Sequence, residues 1–389
     1  MVTFPSPPSP IWISAAETSA DIHGAALVQA LSRLAPDIPL LGMGGASMRL
    51  APFRALFRAE DLSVMGLTEV ISALPRIWSL YTRIQKALRQ HRPRCIILID
   101  APDFHFRLAK MAHNMGIPVI YYISPQVWAW RKYRVNFLRR YVHLLLCIFP
   151  FEQEFFSRHK MEVAFVGHPL LEHMNLDALD TIVEVPDRIG ILPGSRRKEI
   201  AALLPNFARA ARIIQRYRPT THFVIFQADG VHREELLAYW PQDIPVHIAP
   251  FSNRYAELKT CSMVLSASGT ATLECAILGV PALVAYRLSW LSYLVARHVV
   301  DVPFISMPNL IMDRCIFPEF IQNRARGGII AAQALHWLDN PEQRRDVQHT
   351  LKDIRSLLGA HKASTTAARL ILDTTWNKKP FPRSLSSQT

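Results

Sequence analysis

Short, unbroken apolar runs alternate along this chain with longer stretches in which apolar residues recur every three or four positions. In the first half the runs are residues 11–13, 39–41, 95–99, 118–123, 144–149 and 163–166. Most stop at a turn former or a small polar residue: Gly42-Met-Gly-Gly45, Asp100, Ser124-Pro125, Pro150 and Gly167-His-Pro169. A strand buried on both faces of a parallel sheet reads as such a run. Helical spacing follows the first run over about residues 21–34. Residues 171–186 are more polar and read as a junction. The alternation then restarts at 188–192, 222–226, 245–249, 263–265 and 281–285, and residues 333–372 read as mainly helical.

The pattern predicts an α/β protein built from two doubly wound, Rossmann-like parallel-sheet halves facing a central cleft. The expected boundaries are 1–170 for an acceptor- and lipid-binding domain and 171–350 for a donor-binding domain. Helices over 351–376 are expected to pack back on the first domain or on a partner subunit, and 377–389 to be a disordered tail.

Composition narrows the function classes. Half of the 389 residues are hydrophobic, so the chain can build ample core. Lys and Arg outnumber Asp and Glu by 44 to 31, a net +13 that calls for an anionic partner. The basic residues are scattered and no finger, zipper or RNA-recognition signature accompanies them, which argues against nucleic acid. None of the five cysteines forms a CxxC pair, as expected of reduced core residues in a cytoplasmic protein. The first ten residues lack the basic start and apolar core of a signal peptide. The longest clean apolar run, 144–149, is too short to span a bilayer, so any membrane association is expected to be peripheral.

Two loops in the second half are candidate phosphate seats. Ser268-Gly-Thr-Ala-Thr-Leu-Glu274 follows a strand-like run and opens a helical one. Free N–H groups and the helix dipole at such a start face an anion, with Ser268, Gly269 and Thr270 at the mouth. Glu274, about one and a half turns in, is placed to accept from ribose hydroxyls. Upstream, Pro193-Gly194-Ser195-Arg196 also joins a strand to a helix. Gly194 allows close backbone approach, Ser195 can cap, and Arg196 offers a fork for phosphate. Either loop read alone is equally a capped strand-to-helix turn. Two in one half favour a nucleotide diphosphate.

The first half carries polar groups at its strand ends. Asp100, fixed at the end of an apolar strand, can act as a general base toward an alcohol, or can merely cap the next helix. Asp103 is the better expected cap. Glu17, Ser19 and Asp21 after the first strand, Ser124 and Trp128 after the fourth, and His168 after the last are candidate cleft-lining residues. The stretch from Leu62 to Trp78 is apolar and interrupted by Gly66 and Pro75. It reads either as a core-facing helix with its loop or as an exposed ledge for acyl chains and membrane. The ledge would use Val64, Met65, Leu67, Val70, Ile71, Leu74 and Trp78.

Together these stretches resemble the lipid-A-disaccharide synthases, GT-B-fold glycosyltransferases of Gram-negative bacteria, over nearly the full length. The resemblance rests on Glu17-Thr-Ser-Ala-Asp21, Val64-Met-Gly66, Ile99-Asp-Ala-Pro-Asp-Phe104, Ser124-Pro-Gln-Val-Trp-Ala-Trp-Arg131, Leu192-Pro-Gly-Ser-Arg196, Ser268 to Glu274, and Ser306-Met-Pro-Asn-Leu310. Ala16 and Ala20 stand where the family has glycines. The resemblance implies inverting, metal-independent transfer from UDP-2,3-diacylglucosamine to 2,3-diacylglucosamine 1-phosphate at the cytoplasmic face of the inner membrane. It implies Asp100 as base, Glu274 on the uridine ribose and Asn309 in the donor site. It also implies contact with anionic membrane lipids and subunits that can exchange C-terminal helices in a homodimer. The absence of an Asp-x-Asp pair agrees with the expectation of no cofactor and no metal.

Overall fold

A computed structural model describes residues 8–63, 70–290, 293–294, 299–300, 302–359 and 362–376. The chain divides into two compact units, Met1–Pro169 with Gly359–Thr389, and Leu170–Leu358.

The first unit runs β1 (Ile11–Ala15), α1 (Thr18–Leu34), β2 (Leu40–Gly44), α2 (Ala46–Arg49), β3 (Arg54–Arg58), α3 (Val70–His91), β4 (Cys95–Ile99), α4 (Pro102–Asn114), β5 (Val119–Tyr122), α5 (Arg134–Tyr141), β6 (Leu144–Cys147), α6 (Pro150–Arg158) and β7 (Val163–Phe165). The strands lie in the order β3-β2-β1-β4-β5-β6-β7 and pair in parallel, with Ile13 opposite both Gly42 and Ile97. Strands β1, β4, β5 and β6 are buried along their whole length, as their unbroken apolar runs require. Trp12, Tyr121 and Tyr122 are fully buried. Burying each such side chain stabilises by about 1.5–3 kcal/mol. Edge strand β3, Arg-Ala-Leu-Phe-Arg, is only partly buried and lacks the apolar signature.

The second unit runs β8 (Arg188–Leu192), α7 (Arg197–Tyr217), β9 (His222–Phe226), β10 (Val246–Ala249), α8 (Arg254–Lys259), β11 (Met263–Ala267), α9 (Thr270–Leu278), β12 (Ala282–Tyr286), α10 (Met307–Met312), β13 (Glu319–Ile321), α11 (Gly327–Asp339) and α12 (Pro341–Leu357). Its parallel sheet has the order β10-β9-β8-β11-β12-β13. Helix α7 packs on α11 over a core that includes Leu203, Phe207, Ile330 and Trp337.

The last helix, α13 (Ala363–Thr375), packs on α1 in the first unit. Arg94 donates from Nε to the Thr375 carbonyl over 2.7 Å and lays its guanidinium over the Trp376 ring.

In α3 the apolar residues Leu80, Tyr81, Ile84 and Leu88 face the core, whereas Trp78 is 69% exposed. Val64, Met65 and Leu67 lie outside the described residues, as do the first seven residues and the tail beyond 376. Val70, Ile71 and Leu74 fall on α3, with side chains outside the described part.

Candidate active site

In the second unit, β8 and β11 are adjacent and parallel, so the loops at their carboxyl ends open side by side. After β8 the backbone turns at Gly194, whose φ of +105° is a conformation L side chains rarely adopt. The Glu199 carboxylate folds beneath this turn and accepts the Ser195 N–H over 3.2 Å. Ser195 was expected to cap α7, but the N-cap position is Arg196 and its side chain makes no capping bond; the Glu199 carboxylate instead takes the Ser195 amide.

After β11, Gly269 is the extended N-cap of α9, and a methyl group there would meet no atom within 4 Å. Thr272 N–H donates to the Gly269 carbonyl over 3.1 Å, whereas the Thr270 and Ala271 amides precede the carbonyls of α9, so a positive helix end faces the cavity. Gly194, Ser195, Ser268, Gly269, Thr270 and Glu274 line one cavity of about 190 Å³. Ser268 Oγ is already committed, donating to the Ile305 carbonyl over 2.8 Å. Arg196 is exposed at the start of α7 and lies outside the cavity lining.

Glu274 is 6% exposed on α9, and Arg254 of α8, also in the cavity wall, holds its carboxylate. Tyr255 Oη donates to the other carboxylate oxygen over 3.4 Å. Burial raises the Glu274 pKa, and the Arg254 charge followed by the Tyr255 hydrogen bond opposes that rise.

Asn309 on α10 is elsewhere engaged. Its Nδ2 donates to the Phe317 carbonyl and to Glu319, each over 2.8 Å, and its Oδ1 accepts the N–H groups of Ile316 and Phe317, each over 2.8 Å. Those four bonds fill the amide's capacity. Asn309 is fully buried and outside the cavity lining.

In the first unit, Asp100 follows β4 in a left-handed conformation, φ 51°, and Ala101 continues it at φ 47°. Burial raises the Asp100 pKa, opposed by the Ala101 N–H. Glu17, the extended N-cap of α1, has its pKa raised by burial, then by the charges of Asp100 and Asp103. The ends of β1 and β4 therefore place Glu17 within reach of the Asp100 charge.

Neither aspartate caps α4: its N-cap is Ala101, with Pro102 at the first helical position. Asp103, the expected cap, is exposed and pairs with Arg134 at 3.0 Å and Arg131 at 3.8 Å, because Pro102 shifts the helix start one residue upstream of it.

Asp21 is not a free cleft carboxylate. It accepts the N–H groups of Gly45 at 2.6 Å, Ser47 at 2.7 Å and Met48 at 3.2 Å, capping α2 from the first turn of the neighbouring α1. Ser19 is exposed on the first turn of α1. Ala16 and Ala20 are buried, and neither takes a positive φ.

Ser124 and Trp128 are buried at the end of β5. Trp128 Nε1 donates to Glu152 over 2.9 Å, and Glu152 also accepts the N–H groups of Ile148 and Phe149. Burial pushes the Glu152 pKa up to about 7, opposed by its hydrogen bonds from Trp128, Phe149 and Ile148. His168 is buried with its ring 5.0 Å from that of Phe149.

Sequence reasoning did not find Glu152, Arg254 or Glu319. Glu152 had a legible signal, a carboxylate two residues after the Pro150 that opens a helix. Arg254 and Glu319 had none, since their partners lie 20 and 10 positions away.

Two doubly wound parallel sheets, one with paired helix-start loops over a cavity, define a GT-B-type fold. A crystal structure of UDP-GlcNAc 2-epimerase from Neisseria meningitidis bound to UDP-GlcNAc has this fold, with a TM-score of 0.63 at 15% identity, covering 94% of this chain and 99% of that one. The kitacinnamycin glycotransferase gives 0.61 at 16% identity, with the same coverage. The chain belongs to the lipid-A-disaccharide synthetase family, whose model matches residues 11–372.

Lipid-A-disaccharide synthase of Koribacter versatilis is 37% identical over 372 residues, 92% of this chain and 95% of the relative. That of Alcanivorax borkumensis is 35% identical over 372 residues, 92% of this chain and 96% of the relative. The protein is therefore a glycosyltransferase of lipid-A-related sugar chemistry. Among the described residues, no helix is long and apolar enough to cross a membrane, and no group of three or more His, Cys, Asp or Glu is placed to hold a metal ion.

Proposed function

We propose that the protein joins UDP-2,3-diacylglucosamine to 2,3-diacylglucosamine 1-phosphate, releasing UDP and a β-1,6-linked disaccharide 1-phosphate. The observation that carries this reading is the cavity at the start of α9, with the Gly194 turn on one wall and Glu274 on another. A diphosphate fits the helix start, and the Glu274 carboxylate suits ribose hydroxyls. Membership of the family supports the choice of lipid substrates.

Asp100 takes the proton of the acceptor 6-hydroxyl as its oxygen bonds to the donor anomeric carbon. The bond from that carbon to the diphosphate breaks with inversion, and the electron pair leaves on UDP. A carboxylate whose pKa is raised by burial is a stronger base once ionised. Amides at the α9 start meet the charge that develops on the leaving diphosphate. We read the transfer as metal-independent, and the net +13 charge as suiting anionic phosphoglycolipids at the cytoplasmic face of the inner membrane.

The test incubates the protein with both lipid substrates and a chelator, following UDP and disaccharide, alongside Asp100→Asn. Product formation by the parent chain, lost in the variant with UDP affinity retained, supports the reading. Unchanged turnover in the variant removes Asp100 as base. UDP bound away from residues 194–196 and 268–274 removes the donor seat.

A further inference from the structure

Two consecutive non-glycine residues in left-handed backbone are unusual, and Asp100 and Ala101 are such a pair, at φ 51° and 47°. Each L residue held there is destabilised by about 1–2 kcal/mol, and alanine has no side-chain hydrogen bond to offset it. The turn persists because the Asp100 N–H and the carbonyls of both residues are hydrogen-bonded. Asp100 N–H stays on the sheet, donating to the Tyr122 carbonyl over 3.1 Å. The Asp100 carbonyl accepts twice, from Tyr121 Oη at 2.6 Å and from His105 Nδ1 at 2.7 Å. The Ala101 carbonyl accepts the His105 N–H over 3.0 Å.

The direction of the network follows from its chemistry. A carbonyl only accepts, so His105 Nδ1 carries the proton. Ser14 Oγ lies 3.0 Å from His105 Nε2. In a neutral ring that nitrogen accepts, and the Ser14 hydroxyl donates to it. Burial keeps the ring neutral, pushing its pKa down to about 4. Ser14, His105 and Tyr121 are fully buried, so none of them reaches a substrate.

We infer that His105 and Tyr121 are positioning residues for the transfer, gripping the Asp100 carbonyl from two directions and thereby holding the left-handed turn that aims the Asp100 carboxylate. The inference rests on Asp100 being the base. It makes the reactive geometry depend on two side chains that are chemically silent.

The experiment compares Tyr121→Phe, His105→Leu, His105→Asn and Asp100→Asn, reading kcat, KM for both lipid substrates, UDP affinity and melting temperature. Tyr121→Phe removes one oxygen and keeps the ring packing, so it keeps the test open where His105→Leu fails to fold. A displaced catalytic group can lower turnover about a hundred-fold, so Tyr121→Phe should lose about ten-fold in kcat and His105→Leu about a hundred-fold. KM and UDP affinity should stay within about two-fold, since neither side chain touches a ligand. His105→Asn, whose amide can still donate to the carbonyl, should recover most of the loss. Folded Tyr121→Phe and His105→Leu proteins with parental kcat overturn the inference, as does a loss confined to KM or an asparagine no better than leucine. Inactive Asp100→Asn beside active positioning variants overturns this inference alone; an active Asp100→Asn overturns the base reading and this inference with it.

Discussion

Arg254 closes its guanidinium on the buried Glu274 carboxylate, tying α8 to α9 in the wall of the donor cavity. The two side chains are 17% and 8% exposed, so little water remains to solvate either one alone. Arg254→Ala leaves a carboxylate unpaired where burial already raises its pKa. Breaking a buried pair is expected to destabilise by about 3–5 kcal/mol, read as a lower denaturant midpoint. UDP affinity should fall with it, because Arg254 no longer holds the Glu274 carboxylate in the cavity wall. Equal stability in the variant would mean that the pair contributes nothing.

Glu152 makes stability pH-dependent with a definite sign. Its pKa rises from 4.5 to about 7 on folding, through burial. Between those values the unfolded carboxyl is ionised while the folded one holds its proton, so stability declines as pH climbs through this window. At about 1.4 kcal/mol per pKa unit, the decline approaches about 3 kcal/mol by pH 8. Glu152→Gln removes the titration and leaves a pH-independent penalty, since its amide nitrogen must face either the Trp128 Nε1–H or the Ile148 and Phe149 N–H groups, all of them donors. Denaturation midpoints between pH 5 and pH 8 should show the parent losing ground to the variant. Parallel curves would count against a titrating Glu152.

Gly194 is required by its backbone conformation. At φ +105° any side chain is strained, and a Cβ would lie 2.1 Å from Glu199 Oε2. The carboxylate can swing aside; the backbone cannot. Gly194→Ala is expected to lose about 1–3 kcal/mol and to reshape the turn. Calorimetric titration should find UDP affinity reduced more than stability would explain. Parental affinity would separate this turn from the donor seat.

Asn309 separates a structural role from a ligand contact. Asn309→Ala orphans the buried N–H groups of Ile316 and Phe317. Stability should fall by about 2 kcal/mol or more. At temperatures where the variant is folded, UDP affinity should match the parent, because the amide is saturated within the protein. A variant that keeps its stability and loses UDP would restore Asn309 to the donor site.

The strand ends were legible because a parallel strand covered on both faces must be apolar throughout, so its first polar residue marks the carboxyl edge. Asp100, Ser124, Gly194 and Ser268 stand at such edges. Strand β3 was not legible, because an edge strand is exposed on one side and carries arginines at both ends. Nor was β13, three residues long. The helix before β2 begins at Thr18, three residues ahead of the expected Asp21, because polar Thr18 and Ser19 hide the helical period.

Periodicity and the identity of the residues at strand ends determined, without coordinates, that two parallel α/β sheets carry this chain and where polar chemistry gathers on each. What the tertiary structure decided is which of those polar groups are still available. Asp21 is spent on three amides and Asn309 on its own loop, whereas Glu274, held by Arg254, still lines the donor cavity. Asp100 keeps its carboxylate while its carbonyl is gripped by Ser14-backed His105 and by Tyr121. The physical reason is one of range. Burial of an apolar run depends on neighbours a few positions away, whereas a side chain's hydrogen-bond partners come from strands and helices far along the sequence, and only folding brings them within 3 Å.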